Sequence, residues 1–117
     1  MSNDTAAWYV SDLSAEFIKT RVQATVAGVN PYNPTADVVQ YACVTREAEP
    51  AGGDWFNGRW ETENVVTPNG TATIYRALGL IGAGGKVLAR GSYDVYVKIF
   101  DNPETPVRFV GVLEVGA

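Results

Sequence analysis

Along most of this chain, apolar and polar residues alternate one by one. In "FIKTRVQATV", Ile18, Val22, Ala24 and Val26 are apolar with Thr20 between them, while Lys19, Arg21, Gln23 and Thr25 are polar. Successive side chains of a strand point to opposite faces, so a period of two predicts a strand with one buried face. "GSYDVYVKIF" repeats the pattern. Tyr93, Val95, Val97 and Ile99 fall on one side, and Asp94, Tyr96, Lys98 and Phe100 on the other. "VVQYACVTR" is rich in β-branched and aromatic residues and predicts a further strand. "VRFVGVLEV" predicts the last one, with Gly111 marking a bulge. No segment carries a convincing helical period. Ser11, Ser14 and Glu16 in "SDLSAEFIK" mark one short turn at most.

Turn chemistry separates these runs. "AGVNPYNPTAD" reads as a loop, because Pro31 and Pro34 cannot both serve a hydrogen-bonded ladder. Asn69-Gly70, between "NVV" and "TATIYRA", is the clearest hairpin signal, and Asn57-Gly58 suits a second tight turn with positive φ. "LGLIGAGGKVLARG" reads as a glycine-rich loop in which "KVLA" makes a brief strand or turn. The count comes to roughly seven or eight short strands with turns every 8–12 residues or so, the pattern of an antiparallel sandwich or barrel. Tyr93 stands where a tyrosine corner would tie its hydroxyl to backbone upstream.

Composition narrows the function classes. A chain of 117 residues with 46% hydrophobic and 19% charged residues suits one folded domain. No apolar run reaches the roughly 20 residues of a membrane-spanning helix, so no membrane partner is expected. "MSNDTAAWYVSDLSAEF" lacks the basic start and long apolar stretch of a signal peptide, so synthesis in the cytoplasm is expected. The net charge is −4 without a basic cluster, which argues against nucleic acid. The chain has no histidine, which removes Ser-His and Cys-His catalysis and the commonest transition-metal ligand. The single cysteine, Cys43, lies in the apolar run "VVQYACV" and reads as a buried structural thiol.

The remaining motifs carry little chemistry. "GLIGAGGKV" fails the phosphate-loop pattern, since Val87 follows Gly85-Lys86 and Leu80 occupies the first glycine position. Asp101, Asn102 and Glu104 are too few to hold Ca²⁺ and read as a turn. No rule sets Asp94, Asp101 and Glu104 across a cleft as an acid/base pair. Asn3 and Asn69 head glycosylation sequons, but without an export signal both read as coincidences. No cofactor is expected. Trp8, Tyr9, Tyr32, Trp55, Phe56 and Trp60 are loop or terminal aromatics that either form a contact site or pack over the sandwich ends. Trp8, Tyr9, Val10 and Leu13 sit in a stretch expected to be an arm, residues 1–16, that lies on a neighbouring subunit, with the β domain over 17–117.

One resemblance extends this reading. The chain orders a "V…ATV" strand over 22–26, an "NPT-D-VQ-A" strand over 33–42, a "GDW…G-WET" stretch over 53–62 and "G-Y-VYVKI-D-PE-PV…G-L-V" over 91–115. In this order they resemble small structural proteins from the head gene clusters of tailed phages and prophages of actinobacteria. The resemblance implies an all-β, antiparallel Ig-like β-sandwich and a virion component without catalytic activity. It implies a capsid decoration or minor head protein whose partners are the major capsid protein and copies of itself. A head–tail connector or a tail or baseplate module is the alternative. A module binding glycans of a host surface through Trp55, Phe56 and Trp60 is a third reading, from the loop aromatics.

Overall fold

A computed structural model of the chain describes residues 6–22, 34–100 and 105–116. Among these, eight strands run in the order β1 (Ala6–Ser11), β2 (Glu16–Val22), β3 (Val38–Thr45), β4 (Trp55–Asn57), β5 (Arg59–Thr67), β6 (Gly70–Ile81), β7 (Gly91–Phe100) and β8 (Val107–Gly116). The described residues hold no α-helix, only one-turn 3₁₀ segments at Pro34–Ala36 and Gly52–Asp54. Five strands form one sheet in the order β1-β8-β7-β3-β4, and three form the other in the order β2-β6-β5. This is the arrangement of an immunoglobulin-like sandwich. The three-stranded sheet takes the places of strands B, E and D, and β8-β7-β3 those of G, F and C, with β4 as the added strand of the variable type.

The period of two sets which residues meet between the sheets. Ile18 of β2, Val39, Tyr41 and Cys43 of β3, Ala77 and Ile81 of β6, Val95 and Val97 of β7, and Leu113 and Val115 of β8 form one core. Tyr41 is fully buried at its centre. Its hydroxyl lies 2.8 Å from the Ala77 carbonyl and 2.8 Å from the Thr20 hydroxyl, both on the opposite sheet. A phenol has one proton and the carbonyl can only accept, so Tyr41 donates to Ala77 and accepts from Thr20. This polar pin stands where immunoglobulin domains pack a tryptophan on an inter-sheet disulfide. Here the β2 and β7 positions near it are apolar, and Ile18 and Val95 are both fully buried.

Tyr93, near the start of β7 and two residues before Val95, donates its hydroxyl to the Ala89 carbonyl at 2.6 Å. That is the tyrosine corner expected from its position. The hairpin also forms, joining β5 to β6, with Pro68-Asn69 as its two-residue loop and Gly70, at φ 124°, paired with Thr67 as the first residue of β6. The β7/β8 register slips between Val95 and Tyr96, next to Gly111, where a bulge is expected.

Two expectations change. Asn57-Gly58 is not a hairpin turn: β4 pairs with β3 and β5 with β6, so the chain crosses between sheets at Gly58. What glycine supplies there is room, because a Cβ would lie 2.7 Å from the Leu78 carbonyl oxygen and 3.2 Å from the Tyr41 ring. The stretch read as an arm is likewise part of the chain's own sheet from Ala6 onward. β1 runs parallel to β8, from Ala6 opposite Gly111 to Ser11 opposite Gly116. Gly111 makes this approach available, since a Cβ there would collide with the Ala6 carbonyl oxygen and the Trp8 ring. Val10 is buried in the core and Trp8 packs against it. Residues 1–5 lie outside the described residues.

Two outcomes are expected of the core. Tyr41→Phe leaves a buried carbonyl and hydroxyl without their partner and lowers stability by about 1–3 kcal/mol in urea unfolding. The second concerns pH. Burial pushes the Cys43 thiol from an ordinary 9.0 up to about 12, and burial raises Tyr41 as well. Both raised groups hold their proton in the folded state at a pH where the unfolded chain loses it. Above about pH 9 the unfolded state therefore binds fewer protons and stability falls as pH rises. Cys43→Ala should move the onset of that fall toward pH 10, where Tyr41 takes over, as read from unfolding midpoints between pH 7 and 11.

Candidate functional site: the outer face of the five-stranded sheet

Residues directly opposite on paired strands share a face, so the register assigns the outward side chains. On β7, β3 and β8 the alternates of the core residues are Tyr96, Lys98 and Phe100, then Val38 and Gln40, then Val107 and Phe109. A half-buried sheet should be polar on this side. Here Val38 is 55% exposed, Val107 44%, Phe109 43% and Phe100 40%. Phe109 meets Tyr96 edge-on at 5.7 Å between ring centroids. Lys98 Nζ lies 4.2 Å from the centre of the Trp55 ring and 5.3 Å from that of Phe100. An ammonium over aromatic faces buries its stem and keeps its charge at the surface. At the other end of the same face, Tyr9, which is 66% exposed, stands opposite Glu114, and Ser92 hydrogen-bonds with Glu114.

The outer face of the three-stranded sheet is built differently. Lys19 pairs with Glu61 at 3.5 Å, and Arg76 pairs with Glu61 at 3.6 Å and with Glu63 at 2.9 Å. These partly exposed pairs satisfy one another and suit a face left in water. On the same face, Arg59 lies 5.6 Å from the centre of the 39%-exposed Phe17 ring, beside a half-open cleft of about 290 Å³ walled in part by Phe17, Phe56, Leu78 and Leu80.

Asp94 is the one buried charged side chain among the described residues. Arg46 Nε approaches Oδ1 to 2.6 Å as an ion pair without hydrogen-bond alignment, and Oδ2 accepts the Glu47 N–H at 2.8 Å. Glu47 holds φ at 68°, so Asp94 secures the strained turn after β3. It is a structural carboxylate. Among the described residues no three His, Cys, Asp or Glu side chains gather as metal ligands. Residues 101–104, with Asp101, Asn102 and Glu104, lie outside the described residues.

The residues named from sequence as contacts divide. Tyr9 and Trp55 belong to the outward face. Leu13 is 88% exposed in the turn between β1 and β2. Trp8 and Val10 serve the core. Phe56 stacks on Tyr41 at 6.2 Å, and Trp60 donates its ring N–H to the Asp37 carbonyl at 2.8 Å. These two pack over the sandwich, which removes two of the three aromatics on which a glycan site was read. Tyr32 lies outside the described residues. Val38, Phe100, Val107 and Phe109, with the half-buried Tyr96, are the outward apolar residues that sequence reading passes over. Their signal is an aromatic or aliphatic residue at the positions of alternating strands where a polar one belongs.

Compared with known proteins, the chain matches no family model, no curated protein and no solved structure.

The outward aromatics contribute little to folding. Phe109→Ser should lower stability by no more than about 1 kcal/mol, the worth of one cross-strand aromatic pair, in the same urea assay that reads Tyr41→Phe.

Proposed function

We propose that this protein is a non-catalytic assembly module that docks through the outer face of its five-stranded sheet. The observation that carries the proposal is the group of exposed Val38, Phe100, Val107 and Phe109 on that face, with half-buried Tyr96 against Phe109, around a lysine stacked on Trp55. A large exposed apolar patch on a small domain marks a contact surface, and aromatic residues are the usual anchors of one. The opposite sheet carries the ion pairs of Lys19, Glu61, Glu63 and Arg76 on its outer face, beside Phe17, so the charged clusters of the two sheets differ.

The sequence resemblance to head-cluster proteins of tailed phages supplies the assembly to test first. In that reading the module is a decoration or minor head protein of a virion, and its neighbours are the major capsid protein and further copies of this chain. Repetition of modest contacts over a lattice yields high avidity without one large interface. The acidic balance of the chain, net −4, favours solubility of free copies before assembly.

The test is incorporation. Particles purified from a host that expresses the chain should contain it by mass spectrometry in many copies, and Phe109→Glu, which keeps the fold, should be absent from them. Particles without the chain, or equal incorporation of the variant, would contradict the proposal.

A further inference from the structure

We infer that Asn69 is a site of spontaneous covalent modification. At the tip of the β5–β6 hairpin it loses its side-chain amide and becomes aspartate or isoaspartate, while Asn57, which has the same following residue, is protected by the fold. The inference is independent of the docking reading.

The chemistry needs an asparagine whose following backbone nitrogen can reach its own side-chain carbonyl carbon. Asn30, Asn33 and Asn102 precede proline, whose nitrogen carries no proton to lose. Asn64 precedes β-branched Val65, which crowds the approach, and its Oδ1 accepts a hydrogen bond from the Thr73 hydroxyl. Asn57 and Asn69 precede glycine, the residue that crowds least. By sequence these two are equal, and both are exposed.

The fold separates them. Asn57 Oδ1 accepts from Gln40 Nε2 at 2.9 Å, and the Gly58 N–H donates to the Val39 carbonyl at 2.9 Å. Val39 is buried, and Gly58 sits tight against the Leu78 carbonyl and the Tyr41 ring. Both reacting groups are therefore held, and freeing them means opening the sandwich beside Tyr41. The hairpin tip has no such anchor. Residues 68–73 are all exposed, and the space beside Gly70 is open, with nothing within 4 Å of where a Cβ would stand. Thr67 Oγ1 accepts from the Asn69 N–H at 3.3 Å and donates to the Gly70 carbonyl at 3.1 Å, but no described residue holds the Asn69 carboxamide. Gly70 and Thr67 are the last pair of the β5/β6 ladder. Such terminal pairs open at little cost in free energy, with the core intact.

The reaction balances with water and hydroxide alone. Hydroxide takes the Gly70 N–H proton, the nitrogen attacks Asn69 Cγ, and a carbon–nitrogen bond forms as the Cγ–Nδ2 bond breaks and ammonia leaves. Water then opens the cyclic imide. Cleavage at Cγ gives aspartate, and cleavage at the backbone carbonyl gives isoaspartate, with the main chain rerouted through the side chain. Either product adds one carboxylate to a chain of net charge −4.

The experiment is peptide mapping by mass spectrometry after the full chain has stood at mildly alkaline pH, once folded and once in guanidinium chloride. In the folded chain Asn69 should convert roughly tenfold faster than Asn57 or more, because Asn57 waits for the core to open. In guanidinium chloride the two rates should agree within about threefold, since the following residue is the same. The folded chain should keep its circular dichroism as Asn69 converts. A folded chain in which Asn57 keeps pace with Asn69 overturns the inference, as does one in which Asn69 stays intact while the unfolded chain converts. A tenfold gap that persists in guanidinium chloride also overturns it, because the fold would not then be its cause.

Discussion

The hydroxyl of Tyr41 crosses the sandwich, and the rest of the structure depends on where it lands. By donating to the Ala77 carbonyl and accepting from Thr20, it ties β3 of one sheet to β6 and β2 of the other. A buried phenol without partners would be costly, so only one registry of the two sheets satisfies it. The pin thereby fixes the parity of β3. With Tyr41 inward, Val39 and Cys43 are inward too, and Val38 and Gln40 must face out. Through the β3/β7 ladder the same parity sends Val95 and Val97 into the core and Tyr96, Lys98 and Phe100 to the surface. Through β7/β8 it carries Val107 and Phe109 with them. The surface proposed for docking is thus the other side of the core.

The two outer faces then follow different physics. Lys19, Arg76, Glu61 and Glu63 on the three-stranded sheet pair with one another, while Arg59 beside them rests over the exposed Phe17 ring. The five-stranded face leaves aromatic area in water and one lysine supported by rings rather than by a carboxylate. Covering it releases water from apolar surface and strengthens the contacts already begun there. β1 lies along the 111–116 part of β8, so the edges of this sheet are the six-residue β1 and the three-residue β4, both short.

Much of the fold is legible in the sequence. The alternation of β7, the Asn69-Gly70 hairpin, the tyrosine corner at Tyr93 and the buried Cys43 all follow from residue type and spacing. The features that escape depend on contacts distant in sequence. Nothing local in "AAWYVS" tells that it will pair parallel with β8, since the permission comes from the missing side chain at Gly111. Asn57-Gly58 has the composition of a turn, but the approach of Leu78 and Tyr41 makes it a crossing point. The candidate site is partly readable. Attention to loop aromatics finds Tyr9 and Trp55 and misplaces Phe56 and Trp60, because these residues lie on strands, where alternation sends Trp55 outward and Phe56 inward beside Tyr41. Tyr96 and Phe100 are visible in "GSYDVYVKIF" as aromatics on the polar side of the alternation, which is the more direct sign of a surface made for contact.

The central claim is that this protein works by covering the outer face of its five-stranded sheet. Hydroxyl-radical footprinting of the assembled state against free, dilute chain tests it directly, since aromatic labelling tracks exposure. The account predicts strong protection of Tyr96, Phe100 and Phe109 on assembly, with Phe17 on the three-stranded sheet labelled equally in both states. Equal labelling of the first three, or protection confined to Phe17 and its charged surroundings, would contradict it.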